Sequence, residues 1–163
     1  PIKRWLRERR NSNMIQRKQT IFLFLSFILL AICLCMPIGL LEPSGMGIPS
    51  KMTNLWIVDG NGVKDFKVWP LFATLLITLP LHLFVIFDYK NRKRQILFCS
   101  ITIFLVIAWH LAYLLISQFM MGELKLHFEY GACLPFVSLI LLILARNAIK
   151  SDEALVRAAD RIR

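Results

Sequence analysis

Four stretches of the chain hold apolar residues, without an acidic residue, lysine or arginine, over lengths that approach or exceed a membrane crossing. They are Ile21 to Leu41, about Pro70 to Phe87, Ile96 to Met121, and about Ala132 to Ala145. Apolar positions inside them are bunched rather than spaced for one face of a soluble helix. Such runs mark membrane spans, because roughly 20 helical residues cross the hydrocarbon while satisfying their own backbone hydrogen bonds. The fourth run is short, but Phe128 to Gly131 and the stretch past Arg146 can extend it. Trp69, Tyr89 and Tyr130 stand near span ends, where amphipathic rings favour the membrane interface.

The segments between the runs have different patterns. Residues 42–69 form a polar loop whose beginning, with Pro43, Gly45, Gly47 and Pro49, reads as irregular. Its second half places Asn54–Val58 and Val63–Val68 on either side of Asp59-Gly-Asn-Gly62. Two β-prone runs around such dipeptides predict a hairpin, since glycine supplies the positive φ that the turn needs. The end of the chain, 146–163, is charged but keeps a helical stripe of Ile149, Leu155, Val156, Ala159 and Ile162. Glu153 and Arg157 there have the favourable i, i+4 order. The expected fold is an all-α membrane protein of four transmembrane helices in an up-down bundle. A small extracytoplasmic β-hairpin loop and a cytoplasmic amphipathic C-terminal helix complete it.

Charge orients the bundle. The chain has 163 residues, 57% hydrophobic, with a formal net charge of +10 and a mean hydropathy of +0.61. Of 20 lysines and arginines, 16 fall before the first run, in the Asp88–Gln95 loop or after the fourth run, against 4 in the other two loops. The positive-inside bias places both termini and the Asp88–Gln95 loop in the cytoplasm. Basic blocks beside apolar runs also favour anionic headgroups over nucleic acid as the partner. Residues 1–13 are polar and precede Met14; they are expected to be an upstream or non-native extension, leaving 14–145 as the transmembrane domain.

Little in the sequence carries catalytic chemistry. Cys33, Cys35 and Cys99 lie in apolar runs, and neither these nor Cys133 forms a C-x-x-C pair, so the cysteines read as small packing residues. Ile32 before Cys33 argues against lipoprotein cleavage. Asp59, Asn61 and Asp65 alternate as in a calcium loop, but the bidentate glutamate and flanking helices are missing. No catalytic, metal-binding or cofactor-binding residue is assigned, and the chain is not expected to be an enzyme. Arg92, Lys93 and Arg94 could bind phosphate, although a basic cytoplasmic loop already has a topological explanation.

Ionisable groups inside spans are functional candidates because burying them is costly. Thr74, Thr78 and His82 recur every four residues on the second span. Thr102, His110, Tyr113 and Ser117 share one face of the third. In an antiparallel hairpin of these spans His110 lies level with Thr74 and Thr78, and His82 with Thr102. These seven residues are expected to form a polar seam between the two helices, read chiefly as hydrogen-bonded glue. Pro80 is expected to free a carbonyl nearby, and Trp109 to be packing.

Met14-Ile-Gln-Arg-Lys-Gln-Thr20, running into the first span, resembles the N-terminal signature of a bacterial four-helix membrane family. The tail Ala148-Ile-Lys150, Asp152-Glu153, Leu155-Val-Arg157 and Asp160-Arg-Ile-Arg163 resembles its C-terminal signature. That family is known as domain of unknown function 4293. The resemblance implies the four-helix architecture and a place in the bacterial cytoplasmic membrane, and it brings no activity or cofactor. The function expected is a scaffold or accessory, partner-binding subunit. The tail residues Lys150, Arg157, Arg161 and Arg163 would face a cytoplasmic or membrane protein, another copy in a homo-oligomer, or the anionic leaflet. The alternative is a small-solute or proton-coupled transporter or channel, but the buried acid that four-helix drug exporters use is missing.

Overall fold

The computed structural model describes residues 2–120 and 124–161, with side chains described for 18–119, 124–159 and 161. Four helices are long and apolar enough to cross a membrane. They are α1 (Ile2–Cys35), α2 (Trp69–Phe87), α3 (Arg92–Met120) and α4 (Tyr130–Arg161). At about 1.5 Å per residue even α2, with 19 residues, is about 28 Å long, close to the thickness of a hydrocarbon core. Consecutive helices pack against one another, and α4 closes back on α1 to complete the ring. The core holds Leu30, Leu75, Val106, Trp109 and Leu142, whereas only 28% of each span window is buried. The rest of each helix is an apolar outer surface.

The first apolar run is divided. A single helix over Ile21–Leu41 was expected, but α1 ends at Cys35 and the chain turns into strand β1 (Gly39–Pro43). Pro37 is the physical reason: it has no amide to continue the ladder and disfavours helical φ/ψ at Met36. The other expected boundaries are closer, since α2 begins at Trp69 with Pro70 in its first turn and Asp88 is its C-cap. Pro80 stays inside α2 without ending it. The expected tail helix is continuous with the fourth span, both belonging to α4. The backbone of α1 likewise runs through Met14 without a break.

One end of the bundle carries a five-stranded antiparallel sheet, larger than the expected hairpin. Its strands are β1, β2 (Ser50–Met52), β3 (Ile57–Val58), β4 (Lys64–Asp65) and β5 (Leu124–Phe128), in the order β4-β3-β2-β1-β5. The hairpin lies at the β3–β4 edge, with Ile57 opposite Asp65 and Val58 opposite Lys64. Gly62 there has φ +80°, as a turn glycine should. Asp59 serves the turn, accepting from the Gly60 amide at 2.7 Å and the Ser50 hydroxyl at 3.1 Å. The beginning of the loop is irregular over 44–49, as expected, but Glu42 and Pro43 end β1, and Ser50 opens β2. Pro43 lies beyond the β2 pairing, at a strand end where the missing amide is tolerated.

Strand β5 comes from the short connection after α3 and pairs along all of β1, from Gly39 opposite Phe128 to Pro43 opposite Leu124. Phe128, expected to extend the fourth helix, belongs to this strand. Gly131 then lets α4 begin against the end of α1: a Cβ there would lie 2.2 Å from the Pro37 carbonyl oxygen.

Candidate functional site: the polar contacts of the bundle

The second-helix histidine does not face α3. His82 Nε2 lies 2.9 Å from Ser26 Oγ on α1, and Ser26 Oγ lies 2.6 Å from Ser138 Oγ on α4. His82 Nδ1 is 3.3 Å from the Thr78 carbonyl oxygen of its own helix. All three side chains are fully buried. One set of proton positions satisfies the chain: Ser138 donates to Ser26, Ser26 to Nε2, and Nδ1–H to the carbonyl. A serine hydroxyl on an imidazole nitrogen is the contact that activates a nucleophile. Here a backbone carbonyl takes the orienting place, and Ser26 itself is fully buried.

The expected seam between α2 and α3 is therefore not formed as drawn, although the two helices do pack as an antiparallel pair. Thr74 and Thr78 donate to the Pro70 and Thr74 carbonyls at 2.8 and 2.6 Å. Thr102 and Ser117 donate to Phe98 and Leu114 at 2.8 and 2.7 Å. Hydroxyls on helices readily bond back to the preceding turn, which uses their donor before it can reach a neighbour. His110 turns to α4: its Nδ1 is 2.8 Å from the Val106 oxygen, and its ring meets Phe136 edge-on at 6.3 Å. With Tyr113 and Cys133 it lines a groove of about 260 Å³ between these helices. Tyr113 reaches the sheet end, donating to the Ile38 carbonyl at 2.7 Å.

Asn54, which the sequence places in a hairpin strand, is a fully buried junction. Its Oδ1 accepts from Trp109 Nε1 of α3 at 3.0 Å, and its Nδ2 donates to the Cys33 carbonyl of α1 at 2.8 Å. Its own carbonyl accepts from the Phe72 amide of α2 at 3.1 Å. Cys33 is near the end of α1, where carbonyls lack partners in the helix. Trp109 stacks on Tyr113 at 5.3 Å. Asn54 thus ties the β2–β3 loop to α1 and α3 through its side chain and to α2 through its backbone carbonyl. The signal available in the sequence was the Trp109 indole, whose N–H needs an acceptor once buried.

At the opposite end, Arg94 grips Asp88 with Nε at 2.6 Å and Nη2 at 2.5 Å. This hydrogen-bonded guanidinium holds the Asp88 carboxyl below its ordinary pKa of 3.8. Arg92 pairs with Asp152 of α4. Gln95 donates to the Val85 carbonyl at 2.8 Å, and Arg146 Nε to Ser100 Oγ at 2.8 Å. The first part of the expected free tail is therefore built into the bundle, with Ile149 and Asp152 buried. Lys150, Arg157 and Arg161 are exposed; Arg157 pairs with Glu153 at 2.6 Å, and Arg163 lies outside the described residues. Lys90, Asn91, Arg92, Lys93, Arg94 and Val156 line an open basic groove of about 420 Å³. Among the described residues, no group of three His, Cys, Asp or Glu side chains could hold a metal ion.

The family model described as Domain of unknown function (DUF4293) matches residues 15–162, and the chain belongs to that family. Among curated proteins none matches the chain.

Proposed function

We propose that this family member is a non-enzymatic, multi-pass membrane scaffold with both termini in the cytoplasm, holding its sheet at the outer surface for a protein partner. The bias of basic residues toward the end opposite the sheet supports that orientation. The observation that carries the scaffold reading is the Asn54 junction, which fixes the sheet to α1, α2 and α3 at once. A merely connecting loop would not need such anchorage.

The sheet also displays apolar side chains away from the spans. Met46, Ile48, Val63 and Phe66 are all exposed. Three of them lie toward the β3–β4 edge: Val63 precedes β4, Ile48 lies against the Gly60 turn, and Phe66 meets Trp56 edge-on at 5.9 Å. An apolar cluster kept in water marks an interaction surface.

A photo-crosslinking residue at position 48 or 66, activated in intact membranes, tests the proposal. A discrete adduct is expected at both positions. Asn54→Ala should weaken it while the protein stays in the membrane. Absence of an adduct, or one indifferent to Asn54→Ala, would overturn the scaffold reading.

A further inference from the structure

We propose that the α2–α3 turn is a binding site for one anionic phospholipid. Its phosphate would sit between Lys90, Lys93 and the first amides of α3, with one acyl chain along the α2–α3 groove at Pro80.

The first turn of α3 begins Arg92-Lys93-Arg94 and contains no acidic residue. This is the wrong sign for the positive end of a helix dipole, where anions are favoured and the leading amides lack partners within the helix. Two of the cations are answered, Arg94 by Asp88 and Arg92 by Asp152. Lys90 and Lys93 are exposed, and among the described residues the ion pairs of this turn leave both unmatched. Four basic side chains line one groove beside a helix N-terminus, and a phosphate there would answer the two lysines that the carboxylates leave unmatched and would complement the dipole.

The same two helices carry an apolar groove. Leu76, Ile77, Pro80, Leu81, Phe84 and Phe98 line a space of about 530 Å³ on the outer face of α2 and α3. Phe84 and Phe98 meet edge-on at 5.1 Å. Asp88 follows Phe84 by one turn, and Arg94 precedes Phe98 by one turn, so the ionic pair lies directly beyond the aromatic pair. From there the groove follows α2 for about 12 Å to Leu76. A charged seat at one end of an alkyl-lined channel fits a lipid's phosphate and chain. A soluble phosphate ester would leave the channel unused, so the occupant assigned is the lipid.

The inference rests on the membrane embedding proposed above, so the test reads embedding separately, as resistance to alkaline carbonate extraction. Protein in phosphatidylcholine nanodiscs is titrated with phosphatidylglycerol, and bound lipid is counted by native mass spectrometry. Lys90→Gln/Lys93→Gln is expected to weaken phosphatidylglycerol binding by about thirty-fold, about five-fold for each lysine at an anionic surface. Leu81→Trp, which fills the groove without changing charge, should also reduce the bound lipid, and glycerol phosphate should not displace it. Unchanged binding in the embedded double variant would overturn the site. Displacement by equimolar glycerol phosphate would overturn its assignment to a lipid. Release of the wild-type chain by carbonate would overturn the membrane reading and the lipid site together.

Discussion

Replacing Asn54 by alanine should destabilise the protein more than any other single polar truncation at the sheet end. The side chain accepts from Trp109 at 3.0 Å and donates to the Cys33 carbonyl at 2.8 Å, with a longer buried contact to Cys33 Sγ at 3.6 Å. Its removal leaves an indole donor and a helix-terminal acceptor without partners. Side-chain hydrogen bonds between membrane helices average about 0.6 kcal/mol and reach about 1.7. A stranded buried group costs about 1–3 kcal/mol. Two stranded groups, partly eased by relaxation, give an expected loss of about 2–4 kcal/mol. The assay is reversible unfolding in mixed micelles as the fraction of denaturing detergent rises, followed by tryptophan fluorescence. Trp109→Phe and the double variant complete a cycle, and a coupling of about 1 kcal/mol is expected for residues in direct contact. Asn54→Asp keeps the acceptor for Trp109 but faces the Cys33 carbonyl with a second oxygen, so it should rescue little. A loss below about 0.5 kcal/mol, within the range of ordinary surface substitutions, would refute the reasoning, as would strict additivity in the cycle.

Three further outcomes are expected. Gly131→Ala must push a Cβ away from the Pro37 carbonyl, 2.2 Å distant, and should lower stability by about 1–3 kcal/mol, read as a lower melting temperature in detergent. Asp88, whose carboxyl is held below 3.8 by the Arg94 hydrogen bond, stabilises the folded state at neutral pH; this contribution fades as pH falls from about 4 through the folded pKa. Asp88→Asn should remove that acid-limb slope in a pH series of unfolding midpoints. Finally, in intact cells an impermeant thiol reagent should label Gly45→Cys, whereas Lys150→Cys should react only after the membrane is opened, both in a background lacking the native cysteines.

The helices were legible because uncharged apolar length is a local property, and α2 differs from its expected span by one residue. The sheet was only partly legible. The Asp59–Gly62 turn announces β3 and β4, but β5 finds its partner in β1, so that Gly39 meets Phe128 across most of the chain. Leu124-Lys-Leu-His-Phe alternates as a strand should, yet five residues between two long apolar runs read as a connection. The seam failed for a different reason. Sequence spacing placed Thr74, Thr78 and His82 on one face, and Thr78 and His82 are indeed buried. It could not say which neighbour that face meets. Considering only the consecutive pair α2–α3 omitted the closure of α4 on α1, which brings Ser26 and Ser138 to His82.

That closure gives the polar contacts a common logic. Every neighbouring pair in the ring has a side-chain hydrogen bond across it: Ser26 to His82 for α1–α2, Gln95 to the Val85 carbonyl for α2–α3, Arg146 to Ser100 for α3–α4, and Ser26 to Ser138 for α4–α1. In lipid the surroundings are as apolar as the side chains, so apolar burial alone does little to choose one helix register over another. A directional bond does choose, because sliding one helix by a residue moves a donor about 1.5 Å along the axis and turns it away from its acceptor. His82 suits this role because a neutral imidazole both accepts and donates, linking Ser26 of one helix to the backbone of another without bringing a charge into the bundle. Asn54 repeats the device at the sheet end with a single amide. Register is therefore set at three levels: at the α2–α3 turn by Gln95, in the middle of the bundle by His82, and at the sheet end by Asn54.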